Sequence, residues 1–226
     1  MYKWNFRVLN QENSIDDEIV KNIQNIFING FGLKNGWNKK SIETRLLNST
    51  ILGLLTNKTN EIFGYVIYDI PKKLFENKHF LWTSSMCIVK ELQGKGFSKQ
   101  AFKDLNHFIK SNNEYKNYQF GWIGGRTQNP IVIKKYQQYE RIYPFNFTYE
   151  SSEGQKIIEY IINNINEIKH VQHLTLKYGI CHKVYNSGKL GDYSVNIKTM
   201  NELEKQLKNW GFNRNNGDSI IVTSQL

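Results

Sequence analysis

The segment of this sequence that most readily suggests chemistry is the glycine-rich stretch at residues 93–98, which has the sequence QGKGFS. The apolar run at residues 80–89 predicts a strand leading into it, and the amphipathic run at residues 97–109 predicts a helix leading out. Glycines at such a junction let backbone amides gather around a ligand without a clash with Cβ atoms. Amides in the first turn of a helix also lack partners, so the segment predicts an anion site.

The charges around this segment point the same way. Lys95 and Lys99 precede the first carboxylate of the helix, Asp104. This sign is unfavourable for the dipole of a helix with an empty N-terminus and favourable when a di-anion is bound there. The alternative is a plain glycine-rich turn with solvated lysines, and these residues alone do not decide between the two.

The elements that would position this segment predict an α/β fold with a mixed sheet and helices on both faces. After residue 151 the rhythm of the pattern changes, so we expect a core at residues 1–150, an α/β insertion at 151–217 and a final strand at 218–226 that returns to the core. The expected strands are 3–8, 51–55, 62–68, 80–89, 118–123, 145–149, 179–185 and 219–224. The expected helices are one capped by Asn13 or Ser14, then 38–47, 97–109, one starting at Pro130, 155–168 and 200–210.

Composition limits the classes of partner. The net charge of +10 over 226 residues suggests an anionic partner, and nucleic acid, a membrane surface or a phosphorylated cofactor all fit. Two cysteines do not form a disulfide framework, and no apolar run is long enough to span a bilayer. With no signal-peptide pattern either, a cytoplasmic protein that does not engage a membrane is expected. No nucleic-acid motif accompanies the charge, so nucleic acid is disfavoured.

The predicted strand, turn and helix resemble the acetyl-CoA motif of the GNAT acetyltransferase superfamily. The family pattern is Gln or Arg, two residues, Gly, one residue, then Gly or Ala. Gln93, Gly96 and Ser98 occupy it here, with Ser98 a mild departure at the final small position. A second family motif is an Asn that opens a helix with a Tyr seven residues later, which Asn129 and Tyr136 match. The resemblance covers about residues 1–149 and the last strand.

The resemblance implies a set of residues for acetyl-CoA and no metal. The cofactor would enter between the strands at 80–89 and 118–123. The residues implied to hold the pyrophosphate through backbone amides are Gly94, Lys95, Gly96, Phe97 and Ser98, after the Gln93 that opens the motif. Those implied to pair with the pantetheine arm like an added strand are Met86, Cys87 and Ile88. Asn129 would face the pantetheine, and Tyr136 would protonate the leaving thiolate.

The reaction that this implies is attack by a neutral amine on a thioester carbonyl. The oxyanion needs a donor, for which the amide of Met86 or Cys87 is suited, and a tyrosine suits the role of acid. The base stays open, because the strand carries no carboxylate. The candidates are Asp69, His79 and a water held by Ser84 or Ser85. Tyr136 as a core aromatic is the alternative to Tyr136 as acid.

Other reactive side chains have simpler interpretations. Arg126 follows two glycines, and a solvated loop arginine is favoured over a ligand for phosphate or an acidic substrate. Cys87 is expected to be a small core residue, because no histidine partner is placed to activate it. The spacing of the group at 170–182 (His170, His173, Cys181 and His182) is not that of a zinc finger, so no metal is predicted there.

Three functions are therefore compared. The leading one is N-acetyl transfer from acetyl-CoA to a primary amine of an unidentified acceptor, held between residues 19–47 and 151–217. The second is a non-catalytic acyl-CoA-binding module, and the third is a basic nucleic-acid-binding protein. The insertion at 151–217 is also a natural place for a homodimer contact.

Overall fold

The computed structural model describes residues 1–9, 16–32, 37–185, 188–191 and 198–226. The described chain forms two compact units, one made of residues 1–70 and 83–119 and the other of residues 71–82 and 120–226. The predicted α/β class is confirmed, since strands and helices alternate along the chain and form a helix-flanked sheet. Among the described residues no helix is both long and apolar enough to cross a membrane.

The first unit contains a run of neighbouring strands in chain order, β1-β2-β3-β4. β1 pairs antiparallel with β2, and β2 pairs antiparallel with β3. The elements are β1 (Lys3–Val8), α1 (Asp17–Phe31), α2 (Lys39–Leu47), β2 (Ile51–Thr56), β3 (Ile62–Asp69), β4 (His79–Ile88, which enters this unit at residue 83) and α3 (Phe97–Ser111). Asp16 caps α1, while the predicted caps Asn13 and Ser14 lie outside the described residues.

Helix α1 approaches the end of β4 closely at Gly30. A Cβ atom on Gly30 would lie 2.4 Å from the Sγ of Cys87 and 2.7 Å from the carbonyl oxygen of Ile88. The Cys87 thiol in turn lies 3.5 Å from the carbonyl oxygen of Ile26. Cys87 is therefore a small buried packing residue between strand and helix, as the sequence predicts.

In the second unit, the last strand of the chain lies between its sheet neighbours, in the order β5-β9-β8-β7, and the short β6 also pairs with β9. The pairings of β9 with β5, β6 and β8 are all antiparallel. The elements are β5 (Phe120–Thr127), α4 (Pro130–Tyr136), β6 (Ile142–Tyr143), α5 (Ser152–Asn164), α6 (Asn166–Lys169), β7 (Leu174–Thr175), β8 (Ile180–Cys181), α7 (Lys198–Asn209) and β9 (Ser219–Gln225).

Alternation along β9 separates two cores in this unit. Ile221 joins a cluster that includes Trp82, Trp122 and the isoleucines of α5, whereas Ile220 and Val222 join a cluster formed with α4 and α7. Successive side chains of a strand point to opposite faces of a sheet. Helices therefore cover both faces here, as predicted.

Several predicted boundaries are wrong. Gly124 and Gly125 lie inside β5 and do not end it. Close packing explains the glycine at position 124, because a Cβ there would meet Thr223 and Phe80 at 3.0 and 3.1 Å. No strand forms at 145–149, and the predicted strand at 179–185 is confined to β8. The predicted helix at 155–168 is interrupted at Ile165, which is fully buried with extended backbone angles. The predicted division at residue 150 differs from the two units and stays a prediction.

Both thiols should be inert in the folded protein. Burial raises the pKa of Cys87 to about 12 and that of Cys181 to about 11. Because the thiolate is the reactive form, we expect no reaction with a dithiobis-nitrobenzoate reagent at pH 8 in buffer. Both cysteines should react in denaturant. One equivalent released rapidly from native protein would contradict this packing.

Candidate functional site

The glycine turn between β4 and α3 has a backbone that only glycine adopts readily. Gly94 has a φ of +77° and Gly96 a φ of +84°, both in the left-handed region. Among the described residues, no atom lies within 4 Å of a Cβ built on either residue. Glycine is therefore required here by the backbone conformation and not by close packing, and the space over the turn is open to solvent.

The amides of this turn are available to an anion. In the described part of the chain, the backbone amides of Gly94, Lys95, Gly96 and Phe97 donate no hydrogen bond. Helix α3 starts after Gly96 with no side-chain cap and no acidic residue in its first turn. Unpaired amides at a helix N-terminus, beside exposed lysines, have the chemistry of a site for phosphate groups.

Gln93 holds this turn to the rest of the first unit. Its side-chain Nε2 donates to the carbonyl oxygen of Gly30 at 2.7 Å and to that of Ile88 at 2.9 Å. Both amide hydrogens are thereby used, which joins the end of α1, the end of β4 and the turn. The motif position of Gln93 thus has a structural explanation that the sequence pattern did not reveal.

The first turn of α3 is anchored from β1. The indole Nε1 of Trp4 donates to the carbonyl oxygen of Phe97 at 3.0 Å, and the ring of Tyr2 lies edge-on to that of Phe97 at 5.6 Å. These contacts use the carbonyl and side chain of Phe97 and leave its amide on the side of the turn. Of the predicted residues, Gln93, Gly94, Lys95 and Gly96 thus form the turn, and Phe97 and Ser98 are the first residues of α3.

Polar groups on β4 already have partners in the first unit. The carbonyl oxygen of Ser84 accepts from Nη1 of Arg45 at 2.8 Å, and the Ser85 hydroxyl lies 3.2 Å from the Tyr65 hydroxyl. The Arg45 guanidinium also lies over the Trp37 ring, 4.7 Å from its centre. These contacts fix α2 against the middle of β4. At the end of the strand Met86 and Ile88 are half-buried, so of the three predicted pantetheine contacts only Cys87 is buried.

Asn129 and Tyr136 lie at the two ends of α4 in the second unit. Asn129 caps the helix, with its Oδ1 accepting the amide of Ile131 at 2.9 Å, and its Nδ2 donates to no described residue. Tyr136 is half-buried, and its ring packs against the cluster that includes Ile133 and Leu207. The packing alternative for Tyr136 is therefore realised for its ring, which leaves the chemistry of its hydroxyl to experiment.

The second unit contains a buried charge cluster that the sequence analysis does not predict. Arg126 lies in β5 with its side chain 7% exposed, so the favoured interpretation as a solvated loop arginine is wrong. Its Nη2 lies 3.6 Å from Oε2 of Glu167, on α6. The other carboxylate oxygen of Glu167 accepts from Nε1 of Trp82 at 2.5 Å. A carboxylate from the predicted insertion thus lies beside β4, which carries none of its own.

Opposing effects set the charge state of Arg126. Burial by itself lowers the pKa of Arg126, but the Glu167 carboxylate and the Tyr185 phenol raise it above its ordinary value. The guanidinium therefore stays charged inside the unit. Periodicity and spacing give no signal for this pair, because its partners are 41 residues apart in sequence and meet only through packing. In the described residues no group of three or more side chains is placed to bind a metal ion.

No protein-family model and no curated protein matches this sequence. Among solved structures, the chain is similar to an aminoglycoside acetyltransferase from an uncultured soil metagenomic sample, with 14% identity, 62% of this chain and 88% of that chain covered, and a TM-score of 0.45. It is also similar to a GNAT-family acetyltransferase from Streptococcus pneumoniae TIGR4, with 11% identity, 61% and 85% covered, and a TM-score of 0.39.

A third likeness extends over almost the whole chain. It is to an IAA acetyltransferase from Bacillus cereus ATCC 14579, with 12% identity, 99% of this chain and 100% of that chain covered, and a TM-score of 0.42.

Removing the charge of Glu167 should strongly destabilise the second unit. Glu167→Gln leaves the buried Arg126 without its counter-ion, which typically costs about 3–5 kcal/mol. Urea denaturation followed by the fluorescence of the tryptophans measures the loss. The matched control is Glu153→Gln, which removes the half-exposed partner of Arg141 and should cost less than about 1 kcal/mol. Equal effects of the two substitutions would show that the buried pair is not needed.

Proposed function

We propose that this chain transfers an acetyl group from acetyl-CoA to a primary amine, by direct attack in a ternary complex. The observation that carries the proposal is the glycine turn, where four backbone amides lack partners in the described chain and the first turn of α3 has no carboxylate. A pyrophosphate supplies acceptors for these amides and the negative charge that the helix N-terminus favours.

We infer the remaining contacts to the cofactor from the resemblance, which assigns some of them to the end of β4 and another to the start of α4. The main chain of Met86, Cys87 and Ile88 offers hydrogen bonds to the pantetheine amides, while the Cys87 side chain is committed to packing. The Nδ2 of Asn129, which donates to no residue in the described part of the chain, offers a further donor. No metal is required, because every step is a proton transfer, an addition to a carbonyl or the departure of a thiolate.

The chemical step uses three groups. The lone pair of the amine adds to the thioester carbonyl, and the amide of Met86 or Cys87 donates to the oxyanion. The tetrahedral intermediate then collapses with loss of the thiolate, which takes a proton from the Tyr136 hydroxyl. The proton of the amine passes to water held by Ser84 or Ser85, or to Asp69 or His79.

The alternative is a module that binds acyl-CoA without turnover, and the absence of a carboxylate from β4 is the observation that favours it. Release of free CoA in the presence of a panel of primary amines, detected with a thiol-reactive dye, separates the two. Stabilisation by CoA without turnover would favour the module. We place the reaction in the cytoplasm, where Cys87 and Cys181 would stay reduced.

Gly96→Asp should abolish binding of CoA. The new carboxylate lies at the unpaired amides and takes the place of the anion, so we expect at least a 100-fold weaker Kd, about 2.7 kcal/mol. Isothermal titration with CoA measures it. The control is Gly211→Asp, because Gly211 has a matching φ of +87° and equally open space but follows α7 in the other unit. Undiminished affinity in Gly96→Asp would remove the turn from the site.

Tyr136→Phe should lower turnover and leave CoA affinity nearly unchanged. The substitution keeps the packed ring and removes only the acid, which is typically worth about 100-fold or more in rate. Steady-state kinetics with the best amine of the panel, together with CoA titration, gives both quantities. Tyr139→Phe is the control, three residues further on and 37% exposed. Equal turnover of Tyr136→Phe and the parent chain would remove the assignment as acid.

A further inference from the structure

The second unit contains a hydroxyl, an imidazole and a carboxylate in line, outside the glycine turn and the α4 residues. The Thr175 hydroxyl lies 2.8 Å from Nε2 of His182, and Nδ1 of the same ring lies 3.1 Å from Oδ2 of Asp218. A hydroxyl is activated for acyl transfer when it is hydrogen-bonded to a base and that base is oriented by a carboxylate, which is the arrangement seen here.

The pairing of short strands brings these three residues together. Thr175 pairs with Ile180 across β7 and β8, and the His182 amide donates to the His173 carbonyl at 2.9 Å. Thr175 and His182 are therefore diagonal neighbours on one face of the hairpin. Asp218 directly precedes β9, whose first residue pairs with the neighbour of His182 in β8.

Backbone amides hold the carboxylate in place. Oδ1 of Asp218 accepts the amide of Lys183 at 3.1 Å, and Oδ2 accepts that of Asn213 at 3.0 Å. Lys183 has a φ of +51°, a left-handed conformation that is uncommon outside glycine. Non-glycine residues in this region cluster at functional sites. The carboxylate is thus fixed at the cost of local strain.

The partners of the imidazole determine its tautomer. An ionised carboxylate only accepts hydrogen bonds, so Nδ1 of His182 carries the proton that faces Asp218. In the neutral imidazole with this tautomer, Nε2 has a lone pair that accepts the hydrogen of the Thr175 hydroxyl. The hydroxyl oxygen is left with its own lone pairs directed away from the base, as a nucleophile requires.

The group is within reach of a small molecule. The side chain of His182 is 32% exposed and Thr175 is half-buried, whereas Asp218 is 4% exposed. The base and the nucleophile therefore meet solvent, and the orienting carboxylate is kept from it. This difference in exposure suits a site where Thr175 and His182 contact the substrate and Asp218 does not.

We propose that Thr175, His182 and Asp218 form a second site that cleaves small activated acyl esters. The Thr175 oxygen adds to the carbonyl and its proton passes to Nε2 of His182. The bond from carbonyl carbon to the leaving alcohol then breaks, and His182 gives that alcohol the proton. Water next adds to the acyl-threonine, His182 takes its proton and returns it to the Thr175 oxygen, and the free acid leaves. Asp218 orients the ring throughout.

The test uses p-nitrophenyl acetate with the full chain and without CoA. We expect a rapid release of nitrophenolate that is stoichiometric with protein, and an acetyl group mapped to the Thr175 peptide by mass spectrometry. Thr175→Val and His182→Gln should each lower the rate of the initial nitrophenolate release (the burst) by about 100-fold or more, while Thr175→Ser should retain that release.

Two controls separate this site from background reactivity. Thr59→Val removes an exposed hydroxyl that contacts the Glu61 carboxylate at 3.1 Å without an imidazole, and it should have no effect. His173→Gln removes the exposed histidine across from His182 and should also leave the burst intact.

The map of acetylated residues in the unsubstituted protein tests the proposal without requiring that any variant folds. Acetyl groups found only on lysines or on His173, or an equal burst in Thr175→Val whose far-ultraviolet circular dichroism matches the parent, would overturn the proposal. Because CoA is absent and Tyr136 takes no part, failure of amine acetylation would leave this result unchanged.

Discussion

Two hydrogen bonds from one amide group hold together the part of the molecule on which the proposed acetyl transfer depends. Nε2 of Gln93 donates to the carbonyl oxygens of Gly30 and Ile88, and thereby fixes where β4 ends, where α1 ends and where the glycine turn begins. The left-handed backbone at Gly94 and Gly96 then shapes the turn whose amides lack partners in the described chain. Open amides at a fixed position are the precondition for binding a pyrophosphate without reorganisation.

The second unit is constrained differently, by an arginine charge that is almost completely buried. Arg126 stays ionised because the Glu167 carboxylate lies beside it, and that carboxylate is itself oriented by the Trp82 indole. Isolated buried charges are very costly in free energy, so the Arg126, Glu167 and Trp82 side chains must become buried together. This requirement ties α6 to β5 and to the second unit's part of β4. The predicted insertion is therefore part of the packed unit and not an appendage.

The same unit shows how polar groups can be placed by short strands. β7 and β8 contribute only two residues each to the sheet, yet the pairing of β7 with β8 and of β8 with β9 sets Thr175, His182 and Asp218 in line. Long strands and helices supply the core on both faces of β9. Thr175 lies in β7, His182 directly follows β8 and Asp218 directly precedes β9, so the short strands and their ends place the three polar side chains within hydrogen-bond distance.

Much of this protein was determined by local sequence. Periodicity identified β1, β2, β3, β9 and the amphipathic α3, and the pattern at 93–98 identified a turn that must be glycine and an N-terminus without a cap. Asn129 and Pro130 likewise marked the start of α4. These features depend on the conformational preferences of a few neighbouring residues, so the local sequence is enough to predict them.

Only the tertiary structure decided which groups are buried and which meet. Gly124 and Gly125 suggested the end of a strand, but the close approach of Thr223 and Phe80 explains a glycine inside β5. Arg126 consequently lies in a strand beside a carboxylate far along the chain. The ion pair of Arg126 with Glu167, the hydrogen bond from Trp82 to Glu167 and the two contacts of the His182 ring join residues 7 to 85 positions apart. Such pairings carry no periodic signal, because packing alone brings their partners within reach.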